Sequence, residues 1–152
     1  LGGTGKTPLA IEIYSILKSL NMKPCFIRKK YTSFQDEAEL QKNIGPVYQN
    51  KKRIKAINEA IQNKIDIAIM DDGFQDFSVN KNLSIVCFNE KQWIGNGLTI
   101  PAGPLRESLS SLKRANCVFI NGEKNIDMEN KIYSKNKDFL IGKACFVSRF
   151  PL

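Results

Sequence analysis

Histidine is missing altogether from these 152 residues. That excludes a His-based catalytic triad, a His-ligated zinc and a histidine general base from anything the chain does alone. Cysteine is sparse, with four residues at 25, 87, 117 and 145, and no C-x-x-C pair occurs. Cys87 and Cys117 lie in apolar runs that read as buried strands, so free buried thiols in a reducing compartment are the expected state. No run of about 18 apolar residues is present to span a membrane, and no secretory signal is visible. Acidic residues are outnumbered: 15 Asp and Glu stand against 23 Lys and Arg, a formal net charge of +8. Such a balance fits phosphorylated ligands, nucleic acid or an anionic membrane surface without choosing among them. Richness in Lys, Ile and Asn is equally the mark of an AT-rich gene.

What remains is ordinary for a globular domain, with 42% hydrophobic and 25% charged residues, and the length predicts one domain. Residues 8–20 have helical periodicity, with Leu9, Ile13, Ile16, Leu17 and Leu20 at spacings of three and four. Pro8 suits the first turn, and Asn21 is a plausible C-cap. An extended segment follows at 25–28. Residues 29–50 read as polar and irregular, with a short helix near 36–40 and a short strand at Val47 and Tyr48. Residues 51–63 predict a helix with Ile54, Ile57 and Ile61 on one face. Apolar runs at 65–70, 83–88 and 117–120 predict strands. Residues 93–107 form a loop rich in Gly and Pro, a short helix begins at 108–113, and 123–138 read as a charged linker. Helix alternating with strand predicts an α/β layered domain with a mostly parallel sheet.

Four constellations carry chemistry. Gly2-Gly3-Thr4-Gly5-Lys6-Thr7 runs straight into a helix, which is the core of a phosphate-binding P-loop. The glycines let the backbone turn its N–H groups inward, and the helix N-terminus adds favourable dipole charge. Lys6 would reach the β- and γ-phosphates, and Thr7 would ligand Mg²⁺. The alternative is a glycine-rich turn, but Gly-Lys-Thr at the head of an amphipathic helix favours the phosphate. Second, the strand at 65–70 ends in Asp71-Asp72-Gly73. A carboxylate there holds Mg²⁺ directly or through water in P-loop proteins; alone, Asp before Gly would read as a turn. Third, Gly95-Asn96-Gly97 and residues 101–107 form a constrained loop presenting Arg106 and Glu107. Arg106 suits an anion clamp, although chemistry alone favours a stiff connection with a surface ion pair. Fourth, Asp36-Glu37 is either a general base near the γ-phosphate or a solvated helix start, and the residues by themselves favour the latter.

Together, Gly2-Gly3-Thr4-Gly5-Lys6-Thr7-Pro8, Asp71-Asp72-Gly73-Phe74-Gln75, Gly95-Asn96-Gly97 and Pro101 to Glu107 resemble the lipid A 4′-kinases, the tetraacyldisaccharide 4′-kinase family. The resemblance runs from Leu1 to about Gly122. It implies a P-loop NTPase-like fold and a bacterial enzyme of lipopolysaccharide synthesis. The reaction implied is transfer of the γ-phosphate of ATP to the 4′-hydroxyl of a tetraacylated glucosamine disaccharide 1-phosphate. Gly2, Gly3, Thr4, Gly5, Lys6 and Thr7 would then bind the nucleotide, and Thr7 and Asp71 the Mg²⁺. Asp71 and Asp72 would serve catalysis, and Asp36 would stand where the family has its proposed base. Arg106, Asn96 and Gln75 would meet the substrate. The implied cofactors are ATP and Mg²⁺, and the implied partners are the lipid disaccharide and the anionic inner-membrane surface, with no nucleic acid. The implied location is peripheral, on the cytoplasmic face of the inner membrane, or cytoplasmic if an anchor is absent.

Departures from the family pattern are visible. Residues 28–32 read Arg-Lys-Lys-Tyr-Thr where the family usually has Arg-Gly-Tyr-Gly, and Asp76 stands where it usually has His. Family members are longer, with a hydrophobic N-terminal helix, a strand before the P-loop and a second domain that carries a histidine paired with the base. The sequence opens inside the loop without an initiator Met. Residues 1–122 are therefore expected to be an incomplete kinase core lacking the strand before the P-loop, and 123–152 a linker and the start of a missing second domain. Two rival readings follow. One is an inactive or split-gene remnant that needs a complementing second fragment. The other is a different P-loop NTPase associated with nucleic acid, which the absence of a basic and aromatic stripe disfavours.

Overall fold

The apolar run beginning at Pro24 becomes the strand around which half of the chain is built. In the computed structural model, which describes residues 4–30, 36–123, 126–135 and 140–144, this strand is β1, Pro24–Lys29. Its first four residues are all buried, as expected of a parallel strand covered on both faces. It lies between β2, Val47–Asn50, and β3, Ile67–Met70, in a parallel sheet of order β2-β1-β3. Phe26 is opposite both Val47 and Ile69. Side chains alternate across the sheet. Phe26 points to one face and packs with Ala10 and Tyr14 of helix α1, Lys6–Ser19. Its ring stacks on Tyr14 with centroids 4.9 Å apart. Cys25 and Ile27 point to the other face and pack with Ala56 and Ala60 of α3, Arg53–Gln62. The short helix α2, Asp36–Lys42, leads into β2.

By its contacts the chain falls into two compact units, Lys6–Asn80 and a second unit from Lys81 onward together with the first residues of the chain. The second unit has its own parallel sheet of order β4-β5-β6, made of Ile85–Asn89, Cys117–Asn121 and Leu140–Ala144. Val118 and Ile120 on the central β5 are fully buried. A 3₁₀ helix, Leu109–Arg114, and helix α4, Ile126–Tyr133, complete the unit and bury Leu112, Met128 and Ile132.

Several expectations are corrected. The charged stretch at 123–138 was expected to be a linker, yet it contains α4. Met128 and Ile132 are four residues apart, so one apolar stripe is enough to bury a helix whose other faces are charged. β5 and β6 pair across residue 122, from Cys117 with Leu140 to Asn121 with Ala144. On α3 the buried stripe is Arg53, Ala56 and Ala60, while Ile54 and Ile61 are exposed. On α1, Ala10 and Tyr14 are buried and Ile16 is exposed, as is Leu20 just past its end. In both helices the small or aromatic residues seat the backbone on the sheet. Cys25 is fully buried, but Cys87 and Cys117 are only half-buried. Asn21 does close α1, with φ of 61° and a Met22 N–H to Leu17 carbonyl bond of 3.1 Å.

Candidate active site

Helix α1 starts at Lys6, so its first turn carries Lys6 and Thr7 beside backbone N–H groups that have no partner within the helix. Gly5, just before it, has φ of +84°, a conformation glycine adopts without strain. Thr4 and Gly5 are described, whereas Gly2 and Gly3 lie outside the described residues. Because α1 packs on β1 and β3, its first turn stands at the end of β3, where Asp71 follows Met70. The Thr7 hydroxyl donates to Asp71 Oδ2 at 3.0 Å. Two elements far apart in sequence are thus joined through one carboxylate oxygen.

Asp71 is buried, with 4% of its side chain exposed, so its charge needs partners. It has three among the described residues, all on Oδ2. Besides Thr7, Gln41 of α2 donates from Nε2 at 3.0 Å, and an Arg28 terminal nitrogen lies 3.7 Å away. The same Arg28 nitrogen donates to Gln41 Oε1 at 3.2 Å. Oδ1 carries none of these contacts.

Asp72 has φ of 59°, a left-handed conformation that Asp tolerates better than most residues. Its side chain is exposed. Arg53, buried at the head of α3, supports this turn: one terminal nitrogen donates to the Asp72 carbonyl at 3.0 Å and the other to Asp76 Oδ2 at 2.9 Å. Asp76 Oδ1 accepts from the Ser78 backbone N–H at 3.0 Å and also from the Ser78 hydroxyl. The Ser78 bonds and Arg53 hold the Asp76 carboxyl at about 2, well below its ordinary value of 3.8. Gly73 belongs to the same turn, and a Cβ there would lie 2.7 Å from Met70 Cβ.

The other sequence-predicted residues are placed as follows. Asp36 is the first residue of α2, and its side chain lies outside the described residues. Gln75 is exposed. Asn96 and Arg106 belong to the second unit. Asn96 staples its own loop: Nδ2 donates to the Ala102 carbonyl at 2.8 Å and Oδ1 accepts from the Leu98 N–H at 3.1 Å. Arg106 is exposed, and the neighbouring Glu107 pairs with Arg114.

Sequence reasoning missed Arg28, Gln41 and Arg53. Arg53 carried a signal, because a basic residue in a helix's first turn opposes the macrodipole and needs another reason to be there. Gln41 carried none, since a lone Gln at the end of a polar helix reads as solvated.

A model of the tetraacyldisaccharide-1-P 4′-kinase family matches residues 34–146. The tetraacyldisaccharide 4′-kinase of Pelagibacter ubique (strain HTCC1062) is 46% identical over 149 residues, covering 97% of this chain and 48% of that protein. The protein of the same name from Colwellia psychrerythraea is 32% identical over 152 residues, covering 88% and 44%. That from Ruthia magnifica is 28% identical over 177 residues, covering 95% and 56%. The chain spans about half the length of these curated relatives. No solved structure matches it.

Proposed function

The chain belongs to the tetraacyldisaccharide-1-P 4′-kinase family, and from that premise we propose that its Lys6–Asn80 unit is a P-loop nucleotide and Mg²⁺ site. The site would serve ATP-dependent phosphoryl transfer to the 4′-hydroxyl of a tetraacylated glucosamine disaccharide 1-phosphate in lipid A synthesis. The observation that carries the reading is the Thr7 to Asp71 hydrogen bond at the head of α1. With its proton committed to Asp71, the Thr7 hydroxyl has lone pairs to offer a cation.

The donors fit Mg²⁺, a hard ion that prefers hydroxyl and carboxylate oxygen. Among the described residues no three His, Cys, Asp or Glu side chains converge as a metal cage. Mg²⁺ needs no such cage, since it keeps several waters and uses one or two carboxylates with substrate phosphates. When bound, it would neutralise charge on the transferring phosphate.

Each residue then has a task. The first-turn N–H groups of α1, with Gly2, Gly3, Thr4 and Gly5, cradle phosphate oxygens. Lys6 places its ammonium on the β- and γ-phosphates. Thr7 and Asp71 hold the metal side of the site. Asp72, exposed on a turn held by Arg53, faces solvent where an acceptor would arrive. Asp36 accepts the proton of the sugar hydroxyl as the phosphate leaves ATP. Gln75, Asn96 and Arg106 are assigned to the disaccharide, the Arg106 guanidinium to the substrate's anionic group. Among the described residues no helix is long and apolar enough to cross a membrane. The net charge of +8 supports peripheral attachment to the anionic cytoplasmic face of the inner membrane.

The test is transfer of labelled phosphate from ATP to detergent-dispersed tetraacyl disaccharide 1-phosphate, with Mg²⁺, beside a Lys6→Ala chain. Transfer that disappears with Lys6→Ala supports the reading. Mg²⁺-dependent nucleotide binding without transfer reduces it to a nucleotide site that needs a complementing segment. A folded chain that binds no nucleotide overturns it.

A further inference from the structure

Gln41 is fully buried, which is unusual for a side chain with two polar ends. Both ends are used. Nε2 donates to Asp71 Oδ2 at 3.0 Å, and Oε1 accepts from Arg28 at 3.2 Å. The amide has only one sensible orientation, because a carboxylate can only accept and a guanidinium can only donate. The partners therefore determine which end is nitrogen. Nothing in the scheme of Lys6, Thr7 and the two aspartates requires this residue.

We propose that Gln41 is a positioning residue for the metal carboxylate: it holds Asp71 by Oδ2 with a neutral donor and so leaves Oδ1 outside these contacts for Mg²⁺. The inference rests on the nucleotide and Mg²⁺ reading of the site. Its logic is electrostatic. A buried carboxylate needs hydrogen bonds. One Arg28 terminal nitrogen lies at ion-pair distance, 3.7 Å, from Asp71 Oδ2 and donates to Gln41 Oε1. The Gln41 amide is neutral, so it satisfies Oδ2 without cancelling its charge. The guanidinium on its far end polarises the amide and strengthens the N–H that faces Asp71.

The same bond reaches further. Gln41 lies near the end of the seven-residue helix that opens with Asp36. Fixing Gln41 to Asp71 therefore fixes the backbone of the helix bearing the proposed base against the strand end bearing the proposed metal ligand. Groups that orient a metal ligand without touching the metal commonly contribute 10- to 100-fold in affinity.

The experiment measures binding of a fluorescent ATP analogue to the 152-residue chain, first in EDTA and then across a Mg²⁺ titration, for wild type and Gln41→Met. Methionine fills a similar volume but offers no N–H. The expected result is a Mg²⁺ midpoint raised roughly 10- to 100-fold, with affinity in EDTA unchanged. A merely structural role would weaken both together, and that result overturns the proposal, as does an unchanged midpoint. A wild-type chain that binds no nucleotide, or binds it alike with and without Mg²⁺, overturns the reading of the site itself. Should Gln41→Met not fold, the wild-type chain gives the answer by nuclear magnetic resonance. The Gln41 side-chain amide must shift when Mg²⁺ is added to the nucleotide complex, and an unmoved resonance sinks the assignment.

Discussion

Thr7 and Asp71, 64 residues apart in sequence, share a 3.0 Å hydrogen bond that joins the first turn of α1 to the end of β3. The bond sets the expected behaviour of both residues. Thr7→Val keeps the shape and removes the hydroxyl. Asp71→Asn keeps an acceptor for Thr7 and removes the charge. Both changes should leave the helical circular-dichroism signal intact and abolish the Mg²⁺ enhancement of nucleotide binding in calorimetry. Retained Mg²⁺ enhancement in Asp71→Asn would show that the metal is held elsewhere.

Asp76, held by Ser78 and by Arg53, makes a pH-dependent contribution to stability. The folded state holds the Asp76 carboxyl at about 2 against an ordinary 3.8, so folding favours the ionised form. The contribution is complete above the ordinary value and is lost as pH falls from 3.8 through about 2. Urea midpoints measured down this range should fall more steeply for wild type than for Asp76→Asn. At neutral pH, Arg53→Leu should cost about 2 kcal/mol, because it removes charge-assisted hydrogen bonds to Asp76 and to the Asp72 carbonyl.

The rotation of α3 can be read from a pair of substitutions. Ala60 is 2% exposed and packs beneath β1, whereas Ile61 is 64% exposed. Ala60→Leu should destabilise by about 1–3 kcal/mol through overpacking. Ile61→Ser should stay within about 0.5 kcal/mol of wild type. Chemical denaturation of the two variants checks both, and the reverse order would mean that α3 presents its isoleucine face to the sheet.

Cys25 is fully buried on β1, and burial pushes its thiol up to about 11. The reactive form is the thiolate, so iodoacetamide at pH 8 should spare Cys25 until the chain unfolds. Half-buried Cys87 and Cys117 should be alkylated sooner. Mass mapping of the labelled peptides resolves the order, and early labelling of Cys25 would contradict the packing of this unit.

Phe26 is fully buried and stacked on Tyr14. Phe26→Ala should therefore cost roughly 4 kcal/mol, measurable as a lowered urea midpoint. Because α1 is seated through this contact, the same change should also weaken nucleotide binding. A stable variant with intact binding would show that α1 is held by other means.

Local chemistry made much of this legible in the sequence. Gly-Lys-Thr before an apolar-periodic segment marked where α1 begins, since glycine freedom and helix periodicity are properties of adjacent residues. The acidic pair after Ile67–Met70 marked a strand end, because an apolar run stops where charge begins. Asn21 marked a helix end by the same local logic. Which face of α1 and α3 meets the sheet was decided only by tertiary packing: Ala10, Ala56 and Ala60 let backbones approach, and that advantage exists only once a partner surface is present. The helix at Ile126–Tyr133 likewise forms from a charged stretch whose apolar pair is buried in the folded unit. Gln41 and Arg53 acquired their places through Asp71, Asp72 and Asp76, residues distant in sequence. A hydrogen bond between such residues leaves no periodicity to read, because its energy depends on the geometry of the folded chain and not on the spacing of residues along it.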